Sequence, residues 1–135
     1  HEGLHIMVAR LVAKSITDKE IANLKELLKK RADLAGDDAR LPGLTLEITQ
    51  SIVCASHNRY IRLLFNTLAR TSRASRTVFE SPVYFDPEIQ VFFERLVEAF
   101  ERRDPEMAAL LVTRVFESGS KGYLNAINLW AGDLP

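Results

Sequence analysis

At 135 residues with 47% apolar and 27% charged content, the chain fits one soluble domain able to build its own core. Eighteen basic residues balance eighteen acidic ones, so the chain as a whole carries no electrostatic footprint for nucleic acid or an anionic membrane. A single cysteine, Cys54, excludes an internal disulfide and a multi-cysteine metal site, and fits a reducing compartment.

No apolar run approaches the roughly 20 residues that span a bilayer, and His5 and Arg10 interrupt any signal-peptide pattern at the start. A first residue of His1 rather than Met fits a domain preceded by further sequence. From Glu2 to Lys14, Leu4, Met7, Val8, Leu11 and Val12 fall at the three- and four-residue spacing of an amphipathic helix. Thr17-Asp18-Lys19-Glu20 then forms a capping box, in which hydroxyl and carboxylate satisfy free backbone donors at a helix start. The helix it opens is expected to reach about Leu34, burying Ile21, Leu24, Leu27 and Leu28. Lys25, Lys29, Lys30 and Arg31 form its solvated face and its basic last turn, where cations suit the helix dipole.

Ala35 to Pro42 has the turn residues and charges of an exposed loop. The stretch Gly43 to Leu68 follows and reads as the centre of the fold: a helix, a break at Ser56 to Asn58, and a second helix. In the first, Leu44, Ile48 and Ile52 share a face, with Thr45, Thr49 and Val53 beside them, so the inward seam carries two hydroxyls. Cys54 reads as a small apolar side chain on a buried face. In the second helix Tyr60, Ile61, Leu63, Leu64, Phe65 and Leu68 are apolar around most of the circumference, a pattern expected where neighbours cover a helix on several sides. Arg59, Arg62, Asn66, Arg70 and Arg73 line up along it, either as a solvated face with local ion pairs or as a surface for a phosphate-bearing ligand or a neighbouring domain.

Ser81 to Phe85 is a loop with three apolar side chains, expected to fold back on the bundle. Asp86-Pro87-Glu88 and Asp104-Pro105-Glu106 are matching helix starts, each with an accepting aspartate, a proline at the first helical position and a glutamate at the positive end of the dipole. The first helix is expected to bury Ile89, Phe92, Phe93, Leu96, Val97 and Phe100. The second is expected to bury Ala108, Leu111, Val112, Val115 and Phe116, then pass Ser118-Gly119-Ser120 toward Tyr123, Ile127 and Trp130. Glycine and serine there either bend the helix or admit a closely packed neighbour. With no strand alternation and no repeat, the fold class is all-α: an antiparallel bundle of about six helices in one domain spanning 1–135.

Catalytic chemistry is hard to place. There is no glycine-rich phosphate loop and no serine or cysteine motif with a base. His1 and His5 have a metal-binding spacing, but the terminal place of His1 argues against that use. His57, beside a helix break, is expected to cap or bond locally, and Glu47 to be exposed. No enzyme activity is expected.

The opening EGLHIMVARLVAKSITDKEIANLKELL, the central LTLEITQSIVCASHN and the closing VEAFERRDPEMAALLVTRVFESG, in this order, resemble the effector-binding FCD domain of GntR-superfamily transcription regulators of the FadR subfamily. Ala55-Ser56-His57-Asn58 and Arg103-Asp104-Pro105-Glu106 with Ala108 are the best local signals. The resemblance implies a helical bundle enclosing a ligand cavity, a homodimer, a cytoplasmic regulator, and an upstream winged helix-turn-helix, absent from this chain, that alone touches DNA. It also implies where many such domains hold a divalent metal: an aspartate, a histidine four residues on, and one histidine on each of the last two long helices. Counting from Asn58 and Asp104 puts these at Thr45, Thr49, near Phe93, and near Val115 or Phe116. Hydroxyls and hydrocarbon cannot replace a carboxylate and imidazoles around a divalent ion. No metal or other cofactor is therefore expected.

The fatty-acid-responsive branch of the family also lacks the metal and binds long-chain acyl-CoA. Phe116-Glu117-Ser118-Gly119 and the ending Asn-Leu-x-x-Gly-Asp-Leu at Asn128 to Leu134 are similar to that branch. The expected effector is thus largely apolar, an acyl-CoA or a fatty-acid-like molecule, held by Thr45, Thr49, Asn58, Phe93, Val115, Phe116 and Ser118. A small organic acid, or a ligand-free dimerisation scaffold, is the alternative.

Overall fold

In the computed structural model, residues 2–73 and 87–117 are described, and among them six helices and no strand are found. These are α1 (Glu2–Ser15), α2 (Asp18–Ala32), α3 (Leu41–Cys54), α4 (Arg59–Arg73), α5 (Pro87–Glu101) and α6 (Pro105–Glu117). The all-α expectation holds. The expectations for Ser81 to Phe85 and for the chain beyond Glu117 lie outside the described residues. None of the described helices is long and apolar enough to cross a membrane.

The capping box forms as the sequence predicts. The Glu20 N–H donates to Thr17 Oγ1 at 3.1 Å and the Thr17 N–H donates to Glu20 Oε1 at 2.9 Å. At the start of α6 the Met107 N–H donates to Asp104 Oδ1 at 2.9 Å, and Pro105 takes the first helical position. Helix α5 likewise begins at Pro87. Its end was not foreseen. Arg103 takes φ 53°, and the Asp104 and Arg103 N–H groups donate to the carbonyls of Ala99 and Phe100, both at 3.0 Å. This is the Schellman arrangement, normally completed by glycine. The arginine guanidinium uses the position to donate to the Ile16 carbonyl and to Asp18, tying the α5–α6 corner to the α1–α2 corner.

Packing places α1 against α6, α2 against both α3 and α5, and α5 against α6, with α4 touching α3. One apolar cluster runs through the interior and includes Val8, Val12, Leu24, Ile48, Ile52, Leu96, Phe100 and Val112. Every apolar residue expected inside α5 is buried, and Glu94, Arg95, Glu98 and Glu101 face out.

Other expectations need correction. In α1 the buried stripe is His5, Val8, Ala9, Val12 and Ala13, continued by Ile16, while Met7 is exposed and Leu4 and Leu11 are half-buried. The face turned inward is the one whose small Ala9 and Ala13 suit a close neighbour, and α6 is the helix most extensively packed on α1. Helix α2 stops at Ala32, and α3 starts at Leu41, so Leu41 and Pro42 are buried helix residues rather than loop. Cys54 is exposed because Glu47, Ser51 and Cys54 share the solvent side of α3. Helix α4 buries only Ile61 and Phe65 among its described apolar side chains; Tyr60, Leu63 and Leu64 are exposed.

Candidate functional site

Helix α3 carries the two hydroxyls inward as expected. Thr45 and Thr49 are both buried, on the same side as Ile48 and Ile52. Thr49 Oγ1 donates to the Leu46 carbonyl at 2.8 Å, the usual way a helix satisfies a buried threonine. Thr45 Oγ1 donates to the Leu41 carbonyl at 2.8 Å and still accepts, through its lone pairs, from outside the helix.

The donor is Arg31, which the sequence places on the solvated face of α2. Instead it is buried, with 5% of its surface exposed. Its Nε–H donates to Thr45 Oγ1 at 2.9 Å and its Nη1 donates to Gln90 Oε1 at 3.0 Å. Gln90 is fixed in turn, since its Nε2 donates to the Leu28 carbonyl at 2.9 Å and to Glu94 Oε1 at 2.8 Å. A polar junction thus joins α2, α3 and α5. A signal for Arg31 was present: it lies three residues after Leu28 and seven after Leu24, on the buried stripe of α2. Residue type outweighed position in the sequence reading. Gln90 left no comparable signal.

Phe93 lies one turn beyond Gln90 on α5, buried in the apolar cluster, with its ring 5.5 Å from that of Phe92. Val115 is buried in the same cluster from α6. Asn58 does something else. Its Oδ1 accepts from the Tyr60 and Ile61 N–H groups at 3.0 and 3.1 Å, capping α4. The Phe116 side chain and Ser118 lie outside the described residues. The structure therefore puts Thr45, Thr49, Phe93 and Val115 in the interior, and gives Asn58 a local task.

Two histidines, His5 and His57, are also placed. His5 is fully buried on α1, its ring meeting Phe65 edge-on at 6.2 Å. His57, at φ 53° in the α3–α4 turn, places Nε2 2.8 Å from Glu20 Oε1, so the capping box of α2 is joined to the α3–α4 connection. That bond is long-range rather than local as expected. Partial burial pushes the Glu20 carboxyl up, but bonds from the Thr17 N–H, the His57 ring and the Thr17 hydroxyl outweigh it and hold the group below its ordinary value. Glu47 is exposed as expected.

Two open grooves lie along α2. One, of about 280 Å³, runs between α2 and α5, with Leu28, Ala32 and Val97 as its apolar wall and Lys25, Lys29, Gln90, Glu94 and Glu98 around them. The other, of about 540 Å³, lies between the end of α2 and the start of α3, among Lys30, Leu34, Arg40, Leu44 and Glu47. Among the described residues, Thr45, Thr49, Asn58, Phe93 and Val115 line neither groove. Among the described residues no three His, Cys, Asp or Glu side chains come together as a metal shell. The positions that the resemblance assigns to metal ligands hold two engaged hydroxyls and two hydrocarbon side chains. Such a donor set does not fit a divalent ion.

Comparison with curated proteins and with solved structures returned no match. The family model described as the FCD domain matches residues 1–118, which takes in every helix described above. The chain belongs to the FCD domain family, the effector-binding C-terminal domain of GntR-type transcription regulators.

Proposed function

We propose that this domain senses a largely apolar effector, an acyl-CoA or a fatty-acid-like molecule, without a metal. The observation that carries the reading is the chemistry at the four implied ligand positions. Thr45 and Thr49 spend their protons on helix carbonyls, and Phe93 and Val115 pack in hydrocarbon. Such walls favour an acyl chain, with hydroxyl oxygens as the few orienting polar groups. Thr45, Thr49, Phe93 and Val115 form the described part of the site, Phe116 and Ser118 complete it, and Asn58 contributes by fixing where α4 begins.

Acting by binding and not by catalysis, the domain works as a homodimer in the cytoplasm. The effector favours one arrangement of α3 against α5 and α6, and the dimer passes that preference to an N-terminal winged helix-turn-helix, which makes the DNA contacts. FadR-type regulators serve as the functional model for this reading.

A second reading has an observation behind it. Phe93 and Val115 belong to one continuous apolar cluster, as they would in a filled scaffold that only dimerises.

Thermal-shift and native mass measurements with acyl-CoAs, fatty acids, small dicarboxylates and divalent cations separate these outcomes. A ligand at a hundred times its Kd stabilises the fold by about 2.7 kcal/mol. Acyl compounds are expected to bind and raise Tm, and divalent cations to leave it unchanged. A rise in Tm with zinc or manganese overturns the metal-free reading, and no response to any of these probes leaves the scaffold.

A further inference from the structure

We propose that the α1–α2, α3–α4 and α5–α6 corners form a clasp at one end of the bundle, a single mechanical unit through which a shift of α3, α5 or α6 reaches α1. Its place in signalling rests on the effector reading above; the clasp itself does not. Three short stretches that stand out in the sequence meet at this end: Thr17 to Glu20, Ala55 to Asn58 and Arg103 to Glu106. Capping a helix and turning the chain ask for nothing beyond each stretch. The structure adds bonds between them.

Among the described residues, His57 and Arg103 are the non-glycine positions with positive φ, both at 53°. A side chain in that conformation is uncommon and persists where surrounding contacts over-determine it. These two sit on different corners and reach the same third one. His57 Nε2 lies 2.8 Å from Glu20 Oε1, while Arg103 donates to the Ile16 carbonyl and, at 3.1 Å, to Asp18 Oδ1. Ser15 shares its hydroxyl proton between the Leu11 carbonyl at 2.7 Å and the Ala55 carbonyl at 2.6 Å, which joins the end of α1 to the end of α3. Lys25 adds an ion pair with Glu101, between α2 and the end of α5. Partners in the bonds of His57 and Arg103 stand 37 to 87 positions apart in the chain, so the bonds brace one corner against another rather than shaping a single turn. The α2–α3 connection is built otherwise, since the side-chain bonds of residues 33–40 run between Arg40 and Asp38. Close-packed elements braced in this way shift between arrangements as a group and not one by one.

A double-variant cycle on the 135-residue chain, read by amide hydrogen exchange and mass spectrometry, tests the clasp. Glycine accepts a positive φ, so His57→Gly and Arg103→Gly remove the ties and keep the corner geometry. His57 and Arg103 make no bond to each other. Each single variant is nonetheless expected to speed exchange about tenfold at all three corners, residues 15–21, 55–61 and 99–108, and to leave 33–41 unchanged. The double variant is expected to exceed the faster single by less than about threefold, where independent sites would multiply to about a hundredfold. Ser15→Ala removes one hydroxyl and gives the same readout where a glycine variant does not fold, with faster exchange expected at 99–108 as well as 55–61. An effect that stays on the altered corner, spreads evenly over the chain as Ile52→Ala does, or multiplies in the double variant overturns the clasp and leaves the effector reading standing. Coupled corners in a chain that no acyl compound stabilises remove the signalling role alone.

Discussion

Helices α3 and α4 are consecutive, similar in length and both marked by the sequence as central, yet they meet water in opposite ways. Helix α3 buries Leu41, Pro42, Ile48, Ile52 and Val53 together with two hydroxyls, and shows Glu47 and Cys54 to solvent. Helix α4 is also rich in bulky apolar side chains but, among those described, buries Ile61 and Phe65 and leaves Tyr60 77% and Leu63 65% exposed. Neighbours account for the difference. Helix α3 packs against α2 and α1 as well as α4, whereas the main helix partner of α4 among the described residues is α3. Apolar content supplies the material for a core, and contact with other elements decides which of it is used.

The largest test of that contrast is Ile52→Ala. Ile52 is fully buried, and its truncation removes transfer energy and leaves a cavity, for an expected loss of about 2–5 kcal/mol in chemical denaturation. A loss below about 1 kcal/mol would mean that α3 is not the packed member of the pair.

Next comes Thr45→Val, which keeps the shape of the side chain and removes the acceptor for Arg31 Nε. Leaving that buried donor without its partner is expected to cost about 1–3 kcal/mol. Arg31→Met in the same background should recover part of the loss, because the buried donor is then gone too. If the double variant is no more stable than Thr45→Val alone, the junction does not act as a coupled unit.

These two positions also mark how far the sequence could be read. The starts of α2, α5 and α6 were legible because capping chemistry is local: a threonine, an aspartate or a proline acts on backbone groups a few residues away. The inner face of α5 was legible because Ile89, Phe92, Phe93, Leu96, Val97 and Phe100 repeat at helical spacing against charges on the other side. Thr45 and Thr49 were expected on the inward seam, and both are buried there. Arg31 was missed because a basic residue in a last helical turn has a good surface explanation in the helix dipole, and its acceptors come from helices 14 and 59 residues away. Long-range pairing leaves no trace in local spacing. The exposure of α4 was missed for the same reason, since a helix rich in leucine says nothing about who lies beside it. Met7 was expected inside by its type and is outside because Ala9 and Ala13 offer α6 a closer seat.

A third test sits at the joint between the two helices. Glu20 closes the α2 capping box and reaches His57 in the α3–α4 turn, so Glu20→Gln is expected to cost about 1 kcal/mol near neutral pH. The carboxyl is held below its ordinary value of 4.5 in the folded chain. A depressed carboxyl pKa means that its contribution is complete above about 4.5 and is lost as pH falls through the lower folded value. The Tm difference between wild type and Glu20→Gln should therefore narrow as pH falls below about 4.5. A difference that widens with acid would contradict the bonded carboxylate.

The smallest effect is the one that most sharpens the contrast. Leu63→Ser changes an exposed apolar side chain on α4, and away from packed contacts such substitutions stay within about 0.5 kcal/mol. Set beside Ile52→Ala, it should separate the two helices by several kcal/mol although both changes remove a large aliphatic group. Concentration supplies the second axis of the measurement. If α4 faces water in the functional protein, the Leu63→Ser effect is the same in dilute and concentrated samples. If a second copy covers it, the variant loses stability relative to wild type as concentration rises, because association stabilises only the folded chain that can pair. The first result confirms that α3 and α4 differ in the functional state as they do in this structure; the second makes the difference a property of the isolated chain.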